Sequence, residues 1–168
     1  GYFIGIYALL LTENIYNVAS SRTIQLLRAA HTIGFLITLG AVFFLIDTVL
    51  SLHLPYYDNV FLGMVIILPL TLQALWSMEL LPTISKMVWL ATFVITAIIC
   101  QFLFIFSFWP ARTLMESLLI MALFYTLVGM TQQYLIGRLF VKTAREFMGV
   151  LVVVFLLILL TTRWGSGT

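Results

Sequence analysis

Six side chains with titratable or hydrogen-bonding heads gather towards one end of the apolar runs that carry them: Glu13, Asn14, Asn17, His31, Gln132 and Gln133. Glu13 and Asn17 are four residues apart and share a helix face, with Asn14 beside it. A carboxylate next to an imidazole can share a proton, hold a cation or grip a polar headgroup. The same six residues equally suit a hydrogen-bonded cluster whose work is to fix how their helices pack. They form the candidate polar binding cluster of this sequence.

The remaining polar groups in apolar surroundings each need a partner or a purpose, because hydrocarbon does not solvate them. Thr113 and Glu116 have the S/T-x-x-E spacing of a capping box, which predicts that they satisfy amides at a helix start. Asp47 lies about one turn from the end of its run, within local reach of Thr48 and Ser51. Pro69 interrupts an apolar run and removes a hydrogen bond to the carbonyl of Val65, so a kink is expected there. Gln73 and Gln101 are mid-membrane polar groups expected to meet as a side-chain pair that holds two helices together; a pore lining is the other reading. Arg138, Lys142 and Arg145 follow a helical spacing and are expected to contact lipid headgroups.

No catalytic set emerges. There is no Gly-x-Ser-x-Gly and no His-Glu-x-x-His, and Cys100 is the sole cysteine, deep in an apolar run. His31 and His53 are separated by 22 residues of one expected helix, roughly 33 Å at 1.5 Å per residue. They cannot share a metal or haem within one chain, so neither a metal nor a cofactor is expected. The loops are too short for a soluble catalytic domain. The balance leans away from an enzyme, with an intramembrane enzyme acting on lipid as the third reading.

The elements that must position these groups follow from composition. Of 168 residues, 63% are hydrophobic and 8% are charged, whereas a soluble domain carries roughly a quarter charged residues. So few charges cannot cover a water-facing shell, and the apolar runs are continuous rather than alternating, which selects helices over a barrel. The expectation is an all-α, polytopic transmembrane bundle of about six helices, over residues 2–18, 21–52, 58–81, 85–108, 113–143 and 147–162. They make one transmembrane domain over 1–164, with 165–168 a tail or linker stub. Ser20 or Ser21 would cap the second helix and Asp58 the third, while Pro55 and Pro82 prevent continuation. The opening Gly1-Tyr2-Phe3 lacks a Met and a basic leader, so it is no signal peptide; a lost N-terminal segment is expected.

Six cations (Arg22, Arg28, Lys86, Arg138, Lys142, Arg145) fall in breaks on one side and two (Arg112, Arg163) on the other. By the positive-inside rule the first set is cytoplasmic, which suits a bacterial inner membrane. Trp76 and Trp89 would then mark the inner interface and Trp109 and Trp164 the outer. A net charge of +2 gives no reason to expect nucleic acid; the expected partners are membrane lipids and a second copy or other membrane subunits.

The stretches Thr12-Glu13-Asn14-Ile15-Tyr16-Asn17-Val18-Ala19, Arg22-Thr23-Ile24-Gln25-Leu26-Leu27-Arg28-Ala29-Ala30-His31, Leu52-His53-Leu54-Pro55 and Thr162-Arg163-Trp164-Gly165 resemble an uncharacterised membrane-protein family, a domain of unknown function from candidate-phylum bacteria. The resemblance implies a multi-helix inner-membrane protein and transfers no activity, ligand or catalytic residue. Two functions therefore remain in view: a non-enzymatic membrane module that packs with lipids or subunits, and a small-solute or ion transporter using the Glu13/His31/Gln132 region with the Pro69 kink as its moving part.

Overall fold

The structure is a computed structural model that describes residues 2–79, 82–109 and 111–162, with the side chains of Leu9 and of 12–22 left aside. Five α-helices make up the described chain: α1 (Tyr2–Ser51), α2 (Tyr56–Glu79), α3 (Lys86–Phe106), α4 (Thr113–Leu135) and α5 (Val141–Thr161). No strand occurs among the described residues. Five segments are long and apolar enough to cross a membrane, namely Thr23–Ser51 of α1 and the whole of α2 to α5. The all-helical, polytopic class expected from composition is the class observed.

The two expected helices 2–18 and 21–52 are one helix here. Ser20 and Ser21 lie among helix-compatible residues, with no Gly or Pro between Ile6 and Ile33 to break the ladder. Helical backbone through a serine costs only a few tenths of a kcal/mol, so a residue that favours a cap does not by itself create one. The chain divides into two units, Gly1–Leu36 and Ile37–Thr168. The first is helical throughout its described residues and exposes large apolar side chains such as Phe3, Tyr7 and Leu10. His31 is half-buried there, and Thr32 donates to the Arg28 carbonyl at 3.0 Å.

In the second unit α4 is the central helix. More than half of its span is buried, against 6% for α5, which contributes only Ile158 to the core. The core is closed by Ile46, Ile67, Leu75, Ile99, Leu103, Ile120 and Phe124. Helices α2 and α3 pack antiparallel and close: a Cβ at Gly63 would collide with the Leu103 side chain. Gly63 stands 16 residues before the end of α2 and Leu103 17 after the start of α3, so their contact fixes the register. Their junction is a mutual cap. Ser85 Oγ accepts from Val88 N–H at 3.2 Å and donates to Glu79 Oε1 at 2.6 Å, and the Ser85 N–H reaches Glu79 Oε2 at 3.3 Å. Pro69 sits inside α2 without ending it.

Helix α4 stops at Leu135, well short of the expected end at Thr143. Gly137 takes φ +69, Arg138 N–H bonds the Gln133 carbonyl at 2.8 Å and Gly137 N–H the Tyr134 carbonyl at 3.0 Å. These two bonds make a Schellman motif, which terminates a helix. Arg138 therefore lies in a turn, and Lys142 and Arg145 lie at the start of α5, so the three cations do not share one helical extension. The returning helix is held close. A Cβ at Gly129 would meet the Phe147 ring, Thr126 Oγ1 reaches the Phe147 carbonyl at 3.3 Å, and the Tyr125 and Phe147 rings are 5.0 Å apart.

Candidate functional site

A polar cavity of the second unit lies where α1 and α3 finish and α2 and α4 begin. Pro55 forbids continuation of α1, and the chain turns through His53 at φ +50. Histidine tolerates this left-handed position better than most residues. His53 N–H bonds the Leu50 carbonyl at 3.2 Å, closing the helix end. The ring Nδ1 lies 2.8 Å from the Ser51 carbonyl. A carbonyl only accepts, so Nδ1 is the donor in this bond.

Asn59, in the first turns of α2, is 5% exposed; its amide donates to the Leu54 carbonyl at 3.2 Å while its Oδ1 has no partner. Across from these, Arg112 is the N-cap residue of α4 and makes no side-chain cap bond. Thr113 is thus the first helical residue rather than the cap, and the capping box predicted for Thr113 and Glu116 does not form. Glu116 instead is 6% exposed and lines the cavity with His53, Asn59, Trp109 and Thr113. No hydrogen bond or ion pair to its carboxyl group occurs among the described residues.

The cavity measures about 220 Å³, below the roughly 300–1,000 Å³ of sites for drug-sized ligands, and so fits a small solute with its water. The Glu116 carboxyl oxygens face it as acceptors, beside the Thr113 hydroxyl and the Trp109 indole. No Lys or Arg lines it. The Trp109 indole supplies an aromatic surface, a favourable neighbour for a cation. A carboxyl group with no basic side chain beside it suits a ligand that donates hydrogen bonds. Among the described residues no group of three His, Cys, Asp or Glu is placed to hold a metal.

Asp47, one turn before Leu50 on α1, is engaged quite differently. It does not bond Thr48, whose hydroxyl goes to the Phe44 carbonyl at 2.7 Å. Its Oδ1 lies 3.2 Å from Ser117 Oγ, which also donates to the Thr113 carbonyl at 2.6 Å. The single hydroxyl proton is shared unequally, mostly with the nearer Thr113 carbonyl, and its longer contact to Asp47 links α1 to α4.

The candidate cluster read from the sequence has members in both units. The side chains of Glu13, Asn14 and Asn17 lie outside the described residues, and His31 belongs to the first unit. In the second unit Gln132 is buried and its amide donates to the Ala74 carbonyl at 2.9 Å, clamping α4 to α2. Gln133 is half-buried. Gln73 and Gln101 are both exposed and share no hydrogen bond. Counted from the α2–α3 turn, Gln73 is six residues deep and Gln101 fifteen, a depth difference of roughly 13 Å that explains why they do not meet. Arg138, Lys142 and Arg145 are exposed at the opposite end from the cavity. Trp109 lines the cavity rather than standing only as an interfacial marker, and Trp164 lies outside the described residues.

His53, Asn59 and Trp109 do not stand out as a site in the sequence, although a signal exists. All three fall within one or two turns of loops that emerge on the same side, as Glu116 does, so their depths coincide.

No curated protein and no solved structure matches this chain. Residues 27–161 match a family model described as a protein of unknown function, DUF5656. That match covers all of α2 to α5 and the second half of α1, including every residue that lines the cavity. The chain is a membrane-type helical protein that belongs to the DUF5656 family.

Proposed function

We propose that this protein is a non-enzymatic, membrane-embedded binding module that takes a small cationic or donor-rich solute in the cavity between His53, Asn59, Trp109 and Glu116. The observation that carries the reading is Glu116: a carboxyl group 6% exposed, facing open space and without a partner among the described residues. Leaving a buried polar group unpaired costs about 1–3 kcal/mol, more when charged. A ligand cation is the missing partner that would offset this cost. Asn59 lines the same cavity beside it.

The positive-inside rule supports a bacterial inner-membrane orientation with Lys86, Arg138, Lys142 and Arg145 in the cytoplasm. The cavity then opens on the outer side, where it samples solutes that have not crossed the membrane. Packing against lipids, a second copy or partner subunits is the accompanying role of the bundle.

The test is thermal unfolding of the purified protein in detergent, titrated with ammonium, tetramethylammonium, guanidinium, sodium and potassium chlorides at constant ionic strength. A ligand present at 100 times its Kd stabilises by about 2.7 kcal/mol, a readable shift. At least one cation is expected to give a saturable rise in the wild type that is absent in Glu116→Gln. A rise of equal size in both proteins, or none with any cation, refutes the proposal.

A further inference from the structure

A second cavity, of about 330 Å³, runs between α3 and α4 at the opposite end of the bundle and is lined almost wholly by apolar side chains. Its walls include Met87, Ala91, Val94, Leu127 and Tyr134, and Leu139 closes it at the α4–α5 turn. Ile95, 4% exposed, forms its floor, while Met87, Leu90, Val94 and Tyr134 are all exposed on its flanks. It is therefore a groove open along the side of the bundle. Along α3 it extends from Met87 to Ile98, which is roughly 16 Å of helix. One leaflet of a bilayer has a hydrocarbon depth of about 15 Å, half of the whole core. The groove begins at the helix ends and stops at mid-membrane, as an acyl chain does.

The charge at its mouth identifies the headgroup. Lys86 precedes Met87 and Arg138 precedes Leu139, and both are exposed. With Lys142 and Arg145 they make four cations at this end. The carboxylates there are Glu79, already engaged by Ser85, and Glu146. Tyr134 places a phenol at the same level, a residue suited to the boundary between hydrocarbon and water.

We infer that this groove seats one acyl chain of an anionic phospholipid, with its phosphate at the Lys86 and Arg138 positions. The inference stands independently of the Glu116 cavity, which lies at the other end of the helices. It also gives the exposed apolar wall of α3 and α4 an occupant in the bilayer, and it specifies which basic residues select the headgroup. Lys142 and Arg145, on α5, add general attraction for an anionic surface.

The experiment is native mass spectrometry of the intact chain released from micelles that contain equal amounts of phosphatidylglycerol and phosphatidylcholine with identical chains. The wild type is expected to retain one lipid, with phosphatidylglycerol favoured roughly thirtyfold, because Lys86 and Arg138 contribute about 1 kcal/mol each. The double variant Lys86→Gln/Arg138→Gln should lose most of that preference and keep only what Lys142 and Arg145 supply. Ala91→Phe fills the groove and should lose the adduct of either lipid. Ala91→Ile is a milder filler, and helicity by circular dichroism verifies the fold of each variant. Equal retention of the two lipids by the wild type overturns the inference. So does undiminished lipid on both fillers. A dimer that the fillers convert to monomer, with lipid retention unchanged, assigns the groove to a second copy instead.

Discussion

Replacing Glu116 separates the binding reading from a structural one more sharply than any other change. The Glu116 side chain is 6% exposed and has no partner among the described residues, so a substitution there breaks no bond. Glu116→Leu is close in volume and one bond shorter, and the adjoining cavity of about 220 Å³ leaves room for the branched end. Removing an unpaired buried polar group returns about 1–3 kcal/mol. Against this, an acidic residue in the first turn of α4 contributes about 0.3–1 kcal/mol through the helix dipole. The balance is a gain of about 1–2 kcal/mol, and at roughly 2–4 °C per kcal/mol for a chain of this size the midpoint rises by several degrees. The assay is thermal unfolding in detergent without ligand, repeated with the cation that stabilises the wild type. The Glu116→Leu variant should melt later than the wild type and show no response to the cation. Asp47→Ala is the comparison: that carboxylate is engaged by Ser117 at 3.2 Å, so its loss should cost about 1–2 kcal/mol. If Glu116→Leu is destabilised as Asp47→Ala is, Glu116 has a structural partner and the reasoning fails.

Three further changes test how the bundle is held. Ser85→Ala removes both the cap on Val88 N–H and the bond to Glu79, and should cost about 1–2 kcal/mol in denaturing-detergent unfolding. Gly137→Val places a β-branched residue at φ +69 and should cost about 1–2 kcal/mol, with Gly137→Asn the milder change because asparagine tolerates that conformation. Gly129→Ala drives a methyl group into the Phe147 ring; overpacking of this kind costs about 1–3 kcal/mol, and Gly129→Ala/Phe147→Leu should recover part of it.

How far the sequence foretells this structure depends on whether one residue or many decide a feature. The spans α2 and α3 follow from some twenty consecutive apolar positions and from Pro55 and Pro82, and they appear within a few residues of their expected bounds. Features settled by a single residue escape such a reading. Arg138, Lys142 and Arg145 repeat at a helical spacing, yet Gly137 alone ends the helix between them and the earlier turns. Glycine just past a helix end is a recognised stop signal, and the charge pattern masks it. At α4 a shift of one residue in the cap, from Thr113 to Arg112, converts an expected capping box into a free carboxyl group facing a cavity. Helix ends are uncertain by one or two residues even when judged from coordinates, so that distinction lies below what a pattern can resolve. The grouping of His53, Asn59, Trp109 and Glu116 needs the knowledge that two loops share one end of the bundle, which alternation of the helices supplies once their number on that side is known.

Glu116 must also be weighed against the other buried polar groups. Along the central helix nearly all of them are engaged. Ser117 bonds the Thr113 carbonyl, Thr126 the Ala122 carbonyl, Thr131 the Leu127 carbonyl and Gln132 the Ala74 carbonyl. The buried hydroxyls of Thr71, Thr92 and Thr96, on α2 and α3, also lack partners. They differ from Glu116 in kind. A helical threonine can turn about χ1 and donate to the carbonyl four residues back, so its deficit is small and locally repairable. A glutamate one turn into a helix has no such repair onto its own backbone, since the first amides lie behind it. It faces a cavity that no basic side chain enters. A purely structural bundle would gain by filling that space with leucine. Retaining instead an acceptor-lined opening at the end of its most buried helix makes sense for a protein that receives something there.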